Sequence, residues 1–119
     1  MTTQEIANKL VELCRKGGFE EAQTELFADN AVSIEQQASP DFPQETKGLK
    51  AIKEKSEKWN SMVKEIHGLD VSDPLVADNS FAVTMRMDVT MKDGNRMGMT
   101  ELWTYHVKDG KVVSEEFSM

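Results

Sequence analysis

Three glutamates lie in sequence surroundings that would make a carboxyl group chemically useful. One of them is the single charge in the alternating run Met97, Met99, Glu101, Trp103, Tyr105. A carboxylate among such side chains is costly unless it is paired, hydrogen-bonded or protonated, and burial raises its pKa. A carboxyl group that titrates near neutral pH can exchange protons with a substrate. Glu101 is therefore the first candidate catalytic residue, and Glu115 and Glu35 are the others.

Each of these carboxylates also has a structural interpretation. Glu101 could form an ion pair with Arg86 or Arg96, or lie exposed at a strand bend. Glu115 could lie in water at the rim of a pocket. Glu35 could belong to the solvated side of its strand. The sequence leaves these alternatives open.

Large apolar side chains near these acids would suit a small apolar ligand. The candidate substrate-binding residues are Trp59, His67, Met85, Met99, Trp103, Tyr105 and Phe117. Methionine adapts its shape readily, so several methionines on one face favour a variable apolar ligand. The alternative is that the methionines form ordinary core and that His67 is a hydrogen-bonded core residue.

The last third of the chain must position these residues. From Ser80 to Met119 the pattern predicts three strands joined by Asp93-Gly94 and Asp109-Gly110, each read as a three-residue loop. In that register Met85 lies opposite Glu101, and Trp103 lies opposite Glu115. The two carboxylates then become diagonal neighbours, roughly 7 to 8 Å apart, and could share a proton.

The preceding segments alternate helices and strands. Helices are predicted from Thr2 to Gly17, from Phe19 to about Asn30 and from Gly48, with strands over 31–36 and 64–76. The third helix turns Leu49, Ile52, Ser56, Trp59 and Val63 inward, and Lys55 is placed among its outward residues. The segment from Ala38 to Lys47 is predicted to be a loop over the surface or the pocket mouth. This order favours an α+β fold with the helices on one face of a curved antiparallel sheet, in one domain over 1–119.

Charge and composition exclude several function classes. A net charge of −7 argues against nucleic acid and anionic membranes, which are bound chiefly through Lys and Arg. The single cysteine, Cys14, excludes an internal disulfide, and two histidines without clustered acids argue against a metal site. We therefore expect no metal and no cofactor. The N-terminus has no signal-peptide pattern, so the expected location is cytoplasmic.

Three segments in this order resemble a known superfamily. They are Leu26–Val32, Gly48–Ile52 and Tyr105–Val113, and together with the element order they are similar to the nuclear transport factor 2-like superfamily, most closely its SnoaL-like, polyketide cyclase-related branch. The resemblance implies a cone-shaped, cystatin-like fold in which three N-terminal helices wrap the sheet around an apolar pocket. It also implies a homodimer through the outer sheet face, where Thr84, Thr100, Leu102 and Thr104 would make the contact.

The resemblance to ketosteroid isomerases, which are similar in fold, can be followed residue by residue. A segment like Ala28–Glu35 ends there in the aspartate that acts as general base, and Glu35 matches that position. The isomerase's hydrogen-bonding tyrosine falls at Val11, and its protonated aspartic acid falls near Trp103. The resemblance therefore implies no steroid isomerase site.

Three functions follow as hypotheses. The favoured one is a SnoaL-like domain that binds a small apolar molecule in a pocket containing acids. The second is a cofactor-independent isomerase, cyclase or hydrolase with a pocket carboxylate as general base and Trp103, Tyr105 or His67 orienting the substrate. The third is a non-catalytic dimerisation module, which would fill the pocket with its own side chains.

Overall fold

A computed structural model describes residues 1–119 as three helices and a curved, unclosed sheet. The helices are α1 (Thr3–Arg15), α2 (Phe19–Leu26) and α3 (Leu49–Met62), and the strands are β1 (Phe27–Ile34), β2 (Glu45–Lys47), β3 (Val63–Val71), β4 (Leu75–Val76), β5 (Ser80–Met91), β6 (Arg96–Lys108) and β7 (Lys111–Ser118). The predicted α+β class and its three helices are confirmed. No helix has the length and apolar character needed to cross a membrane.

Local sequence signals set the helix ends. Thr2 accepts a hydrogen bond from the Glu5 backbone N–H, and the Glu5 carboxylate accepts one from the Thr2 N–H, which completes a capping box at the start of α1. Gly17, with φ of 77°, follows the end of α1. The second helix ends at Leu26, and β1 begins at the next residue, earlier than the sequence pattern predicted.

The sheet is mixed, with the strand order β2-β1-β7-β6-β5-β3 and β4 paired to β5. All pairs are antiparallel except β1 with β7, which is parallel. The prediction of a wholly antiparallel sheet is wrong at that pair, because a long crossover rather than a hairpin connects these two strands and leaves their direction free. The predicted strand over 64–76 is divided into β3 and β4, with Pro74 in the break.

The first hairpin has the predicted register. Met85 lies opposite Glu101, Val83 opposite Trp103 and Phe81 opposite Tyr105 across β5 and β6. Gly94 takes a φ of 94° in the turn, as the three-residue loop requires. The inward face of β5 is therefore buried at alternate positions.

The second hairpin differs from the prediction. Asp109 and Gly110 both have positive φ, 53° and 74°, so the turn has two residues, and a register shift follows between His106 and Val107. As a result Glu115 lies opposite Tyr105 rather than Trp103, and Phe117 lies opposite Trp103. The shift also turns Val112 into the core instead of the outer face.

The main hydrophobic core lies between the helices and the concave face of the sheet. It contains eighteen buried residues, among them Ile6, Leu10, Leu26, Ile52, Phe81 and Val83. A smaller group of Met87, Val89 and Met91 packs against Trp59 and Phe19. Between these two groups the concave face is not filled by side chains, and that space forms the cavity described next.

Candidate functional site

A cavity of about 210 Å³ opens between the helices and the concave face of the sheet. Buried residues at its inner end are Leu10, Cys14, Ala22, Gln23, Phe27, Tyr105 and Glu115. Half-buried or exposed residues toward its mouth include Phe42, Trp59, Asn60, Met99 and Glu101. Twelve of the nineteen lining residues are hydrophobic, so the cavity is an apolar space with a few polar groups.

A lysine crosses from α3 to the sheet and holds a polar cluster on one wall. Lys55 Nζ lies 2.9 Å from Glu35 Oε2 and donates a hydrogen bond to Ser33 Oγ. It also lies 5.1 Å from the centroid of the Phe117 ring, within range of a cation–π contact. The Lys55 side chain is only 12% exposed and that of Glu35 27%. This ion pair is therefore shielded from water far more than a surface salt bridge.

Glu115 is the most deeply buried acid, with 3% exposure. It lies beside Ser33 in the parallel pair of β1 and β7. Burial raises the pKa of its carboxyl to about 7, and the Glu35 charge also raises it, whereas the Ser33 hydroxyl and the Lys55 ammonium lower it. Near neutral pH this carboxyl can therefore both accept and donate a proton.

Glu101 lies nearer the mouth and is half-buried. Partial burial raises its pKa, and the charge of Glu35 adds to that shift. Two groups oppose it: the Trp103 indole N–H, which donates a long hydrogen bond of 3.4 Å to Glu101 Oε1, and the Lys55 ammonium. The alternative of an ion pair between Glu101 and Arg86 or Arg96 is not found. Arg96 instead pairs with Asp88.

Two further titratable groups border Glu115. Tyr105 faces it across β6 and β7, and burial together with the charge of Glu115 raises the pKa of the Tyr105 hydroxyl well above its ordinary value. Burial and the same charge raise the pKa of the Cys14 thiol to about 12. Both groups therefore keep their protons at neutral pH. The hydroxyl of Tyr105 is available as a hydrogen-bond donor at the inner end of the cavity.

The loop between β1 and β2 reaches the cavity mouth. Phe42 lines the cavity, and Lys58 of α3 donates a hydrogen bond of 2.6 Å to the Asp41 carbonyl. The Lys58 ammonium also lies 5.4 Å from the centroid of the Phe42 ring. Of the two predicted positions for this loop, the surface or the pocket mouth, the structure shows the mouth for Phe42.

The structure brings most of the sequence-predicted residues to this cavity. The three acids line it together with Trp59, Met99, Trp103, Tyr105 and Phe117. Glu101 and Glu115 are not diagonal neighbours as predicted, because the bulge in β6 and β7 moves Glu115 opposite Tyr105 and leaves Trp103 between the two acids along the strand. The acid that neighbours both of them is Glu35, whose charge raises the pKa of each.

Two predicted binding residues lie elsewhere. His67 is exposed on β3, and its Nε2 lies 2.6 Å from Thr90 Oγ1, so it does not face the cavity. The prediction failed because β3 pairs with β5 through two register shifts that the sequence pattern does not show. Met85 is 1% exposed and belongs to the main core behind the cavity.

Sequence reasoning missed four polar residues that line the cavity, Gln23, Lys55, Ser56 and Asn60, and two of them, Lys55 and Gln23, matter most for the site. Both carry a helical spacing signal. Lys55 is three residues after Ile52 and four before Trp59, and so shares their face. Gln23, which is four residues after Phe19, shares the apolar face of α2 in the same way. The pattern was read by residue polarity, which placed Lys55 among the outward residues and left Gln23 unassigned.

The polar side chains of the cavity could exchange protons with a mostly apolar ligand and form hydrogen bonds to it. Glu115, Tyr105 and Gln23 are polar groups in its buried part, and Lys55 is held by Glu35 and Ser33. No three His, Cys, Asp or Glu side chains are grouped in a way that could hold a metal ion.

Comparison with known proteins identifies the family to which this chain belongs. The family model of the SnoaL-like domain matches residues 1–119. A crystal structure from Mesorhizobium loti, described as that of a proposed SnoaL-like polyketide cyclase, is 35% identical with a TM-score of 0.92, and the match covers 100% of both chains. No curated protein matches.

Two more distant structures share the fold and contain ligands. TerC co-crystallised with polyporic acid is 14% identical over 97% of this chain and 88% of its own, with a TM-score of 0.77. A Mycobacterium tuberculosis protein in complex with estradiol-17beta-hemisuccinate is 15% identical over 100% of this chain and 95% of its own, with a TM-score of 0.76.

The raised pKa of Glu115 predicts a pH-dependent cost to stability. The carboxyl pKa rises from 4.5 to about 7 on folding, so between these values the unfolded state loses its proton first and stability falls as pH rises. The free energy of unfolding of Glu115→Gln minus that of the wild type should therefore increase by about 2–3 kcal/mol from about pH 4.5 to about pH 8. Denaturant unfolding at the two pH values measures this gain.

Glu116→Gln is the matched control, since Glu116 is the next residue and is exposed. We expect its effect on the free energy of unfolding to be the same at both pH values. An equal effect of Glu115→Gln at both pH values would contradict the raised pKa.

Proposed function

The chain belongs to the SnoaL-like domain family, and from that premise we propose that its cavity binds a small, mostly apolar molecule. The family resemblance read from the sequence is confirmed by the match over 1–119. The proposed site is the space between Trp59 of α3 and Glu115 of β7. A cytoplasmic location stays a prediction.

The observation that carries the proposal is an unfilled apolar cavity with one buried acid, Glu115, at its inner end. Filling it with aromatic or methionine side chains would stabilise the fold by about 25 cal/mol for each Å² of apolar surface removed from water. A fold without a ligand gains nothing from leaving this space empty. The third sequence hypothesis, a dimerisation module with a filled pocket, is therefore the weakest of the three.

The ligands of the two distant relatives support the same proposal. Polyporic acid and estradiol-17beta-hemisuccinate both carry rings, and both also carry acidic groups. The lining of this cavity includes Phe19, Phe27, Trp59, Trp103 and Phe117, which are suited to ring packing. A fused two-ring molecule such as 2-naphthol is a suitable first probe for a volume of about 210 Å³.

Binding of 2-naphthol should depend on the open cavity. We expect a dissociation constant on the order of 0.1 mM for the wild type. Met99→Trp places a larger side chain into the half-buried mouth and should weaken binding at least about tenfold by occupying the space. Isothermal titration calorimetry measures both constants.

Lys108→Trp is the control, because Lys108 is in the same strand, is exposed and does not line the cavity. It should bind the probe as the wild type does. If 2-naphthol does not bind, or binds Met99→Trp and the wild type equally, the cavity is not the site.

A second candidate function is proton transfer, and the burial of Glu115 opposite Tyr105 favours it. In this reaction the Glu115 carboxylate removes a proton from the carbon next to a ketone. The C–H electron pair forms the enol C=C bond, and the Tyr105 O–H donates a hydrogen bond to the developing oxygen anion. Return of the proton to another carbon would complete an isomerisation without a cofactor.

Deuterium exchange into 2-tetralone tests this candidate. The wild type should accelerate loss of the protons next to the carbonyl in D₂O, and Glu115→Gln should reduce that acceleration about 100-fold or more. Proton NMR measures the rate, and Glu101→Gln reports whether the acid at the mouth contributes instead. Exchange that is unchanged in Glu115→Gln rules out Glu115 as the base.

We also propose a homodimer through the outer face of the sheet. Thr84 and Thr100 are exposed there, and Leu102, which lies opposite Thr84, is an apolar side chain that is 43% exposed. Sedimentation at micromolar concentration should give twice the chain mass of 13.4 kDa, and Leu102→Glu should give a single chain. A wild-type mass of one chain would contradict the dimer.

A further inference from the structure

One side-chain oxygen among the residues that line the cavity has no hydrogen-bond partner within the protein. Gln23 of α2 is 7% exposed, and its Nε2 donates a hydrogen bond of 2.9 Å to Ser56 Oγ on α3. In this orientation the amide nitrogen is paired with the Ser56 hydroxyl. The other amide atom, Oε1, is buried and accepts no hydrogen bond. Because Gln23 lines the cavity, a molecule in the cavity is the available source of a donor.

An unpaired buried acceptor is costly. Leaving such a group without a donor costs about 1–3 kcal/mol, which exceeds the net value of an ordinary hydrogen bond. A leucine at this position on the apolar face of α2 would avoid the cost. The amide is therefore a group whose hydrogen bonding is complete only when a donor enters the cavity.

The charges of the lining restrict what that donor can be attached to. Three carboxyl groups line the cavity, those of Glu35, Glu101 and Glu115, against one ammonium, that of Lys55. Lys55 already binds Glu35 Oε2 and Ser33 Oγ. An anionic ligand would find no free cation, because Lys55 is already paired with Glu35, so its desolvation would be uncompensated.

From these two observations we infer that the cavity selects a neutral aromatic molecule with a hydroxyl or N–H group, and that Gln23 Oε1 accepts its hydrogen bond. Gln23 is thus the specificity-determining residue for a donor group on the ligand. This inference rests on the proposed binding function, and it adds the chemical class of the ligand.

Three probes of similar shape test the inference. They are 2-naphthol, which has a donor; 2-methoxynaphthalene, which has the same oxygen without a donor; and 2-naphthoate, which is an anion. At about pH 7 calorimetry should rank the wild-type affinities in that order. The methyl group of the ether also changes size, so the decisive quantity is a comparison between variants.

Gln23→Leu removes the acceptor and keeps the volume nearly constant. The affinity ratio of 2-naphthol to 2-methoxynaphthalene should be about 5- to 30-fold larger in the wild type than in Gln23→Leu, because any steric effect of the methyl group is common to both. Gln23→Met gives a second test of the same ratio should Gln23→Leu fold poorly. Gln37→Leu, a change on the exposed loop, should leave the wild-type ratio intact.

The outcomes separate this inference from the proposed function. Equal ratios in the wild type and Gln23→Leu, or binding of 2-naphthoate as tight as that of 2-naphthol, overturn the inference while the binding function stands. If none of the three probes binds, both are overturned.

Discussion

The ammonium of Lys55, held between Glu35 and Ser33, is the interaction on which the cavity depends. It connects α3 to β1 across the concave face of the sheet, at a place where the Lys55 side chain is 12% exposed. Burying an ion pair costs several kcal/mol of desolvation per ion unless good geometry and further hydrogen bonds offset it. The Ser33 hydroxyl and the Phe117 ring supply two such contacts. The pair keeps α3 in place while leaving the space beside it open.

The same charge pair sets the chemistry of Glu115. Lys55 lowers the pKa of this carboxyl and Glu35 raises it, and burial is the largest influence. The result is an acid that titrates near neutral pH in a mostly apolar space. Burying these charges destabilises the fold, and the buried core of Ile6, Leu10 and the other residues under α1 and α2 offsets that destabilisation. Several of these core residues, among them Leu10 and Tyr105, also line the cavity, so the core and the binding site share one concave surface.

The fold follows from the sequence further than the site does. Alternation in β5 and β6 and the left-handed Gly94 determine the first hairpin, because both are local properties of the chain. The second turn has the same Lys-Asp-Gly letters, yet Asp109 also takes a positive φ and a bulge follows, which moves Glu115 by two positions against β6. Lys55 and Gln23 lie on apolar helix faces, and their partners, Glu35, Ser33 and Ser56, are distant in sequence. Such pairings depend on how the helices meet the sheet, which no local pattern records.

Methionine methyl NMR tests the central claim, that the space bounded by α3, β6 and β7 binds a ligand, most directly. Met87 and Met99 line the cavity, whereas Met1 and Met119 are exposed at the chain ends. With ¹³C-methyl methionine and increasing 2-naphthol, the Met87 and Met99 resonances should shift and saturate together, and those of Met1 and Met119 should stay in place. Shifts confined to the exposed methionines, or no saturable shift at Met87 and Met99, would contradict the account.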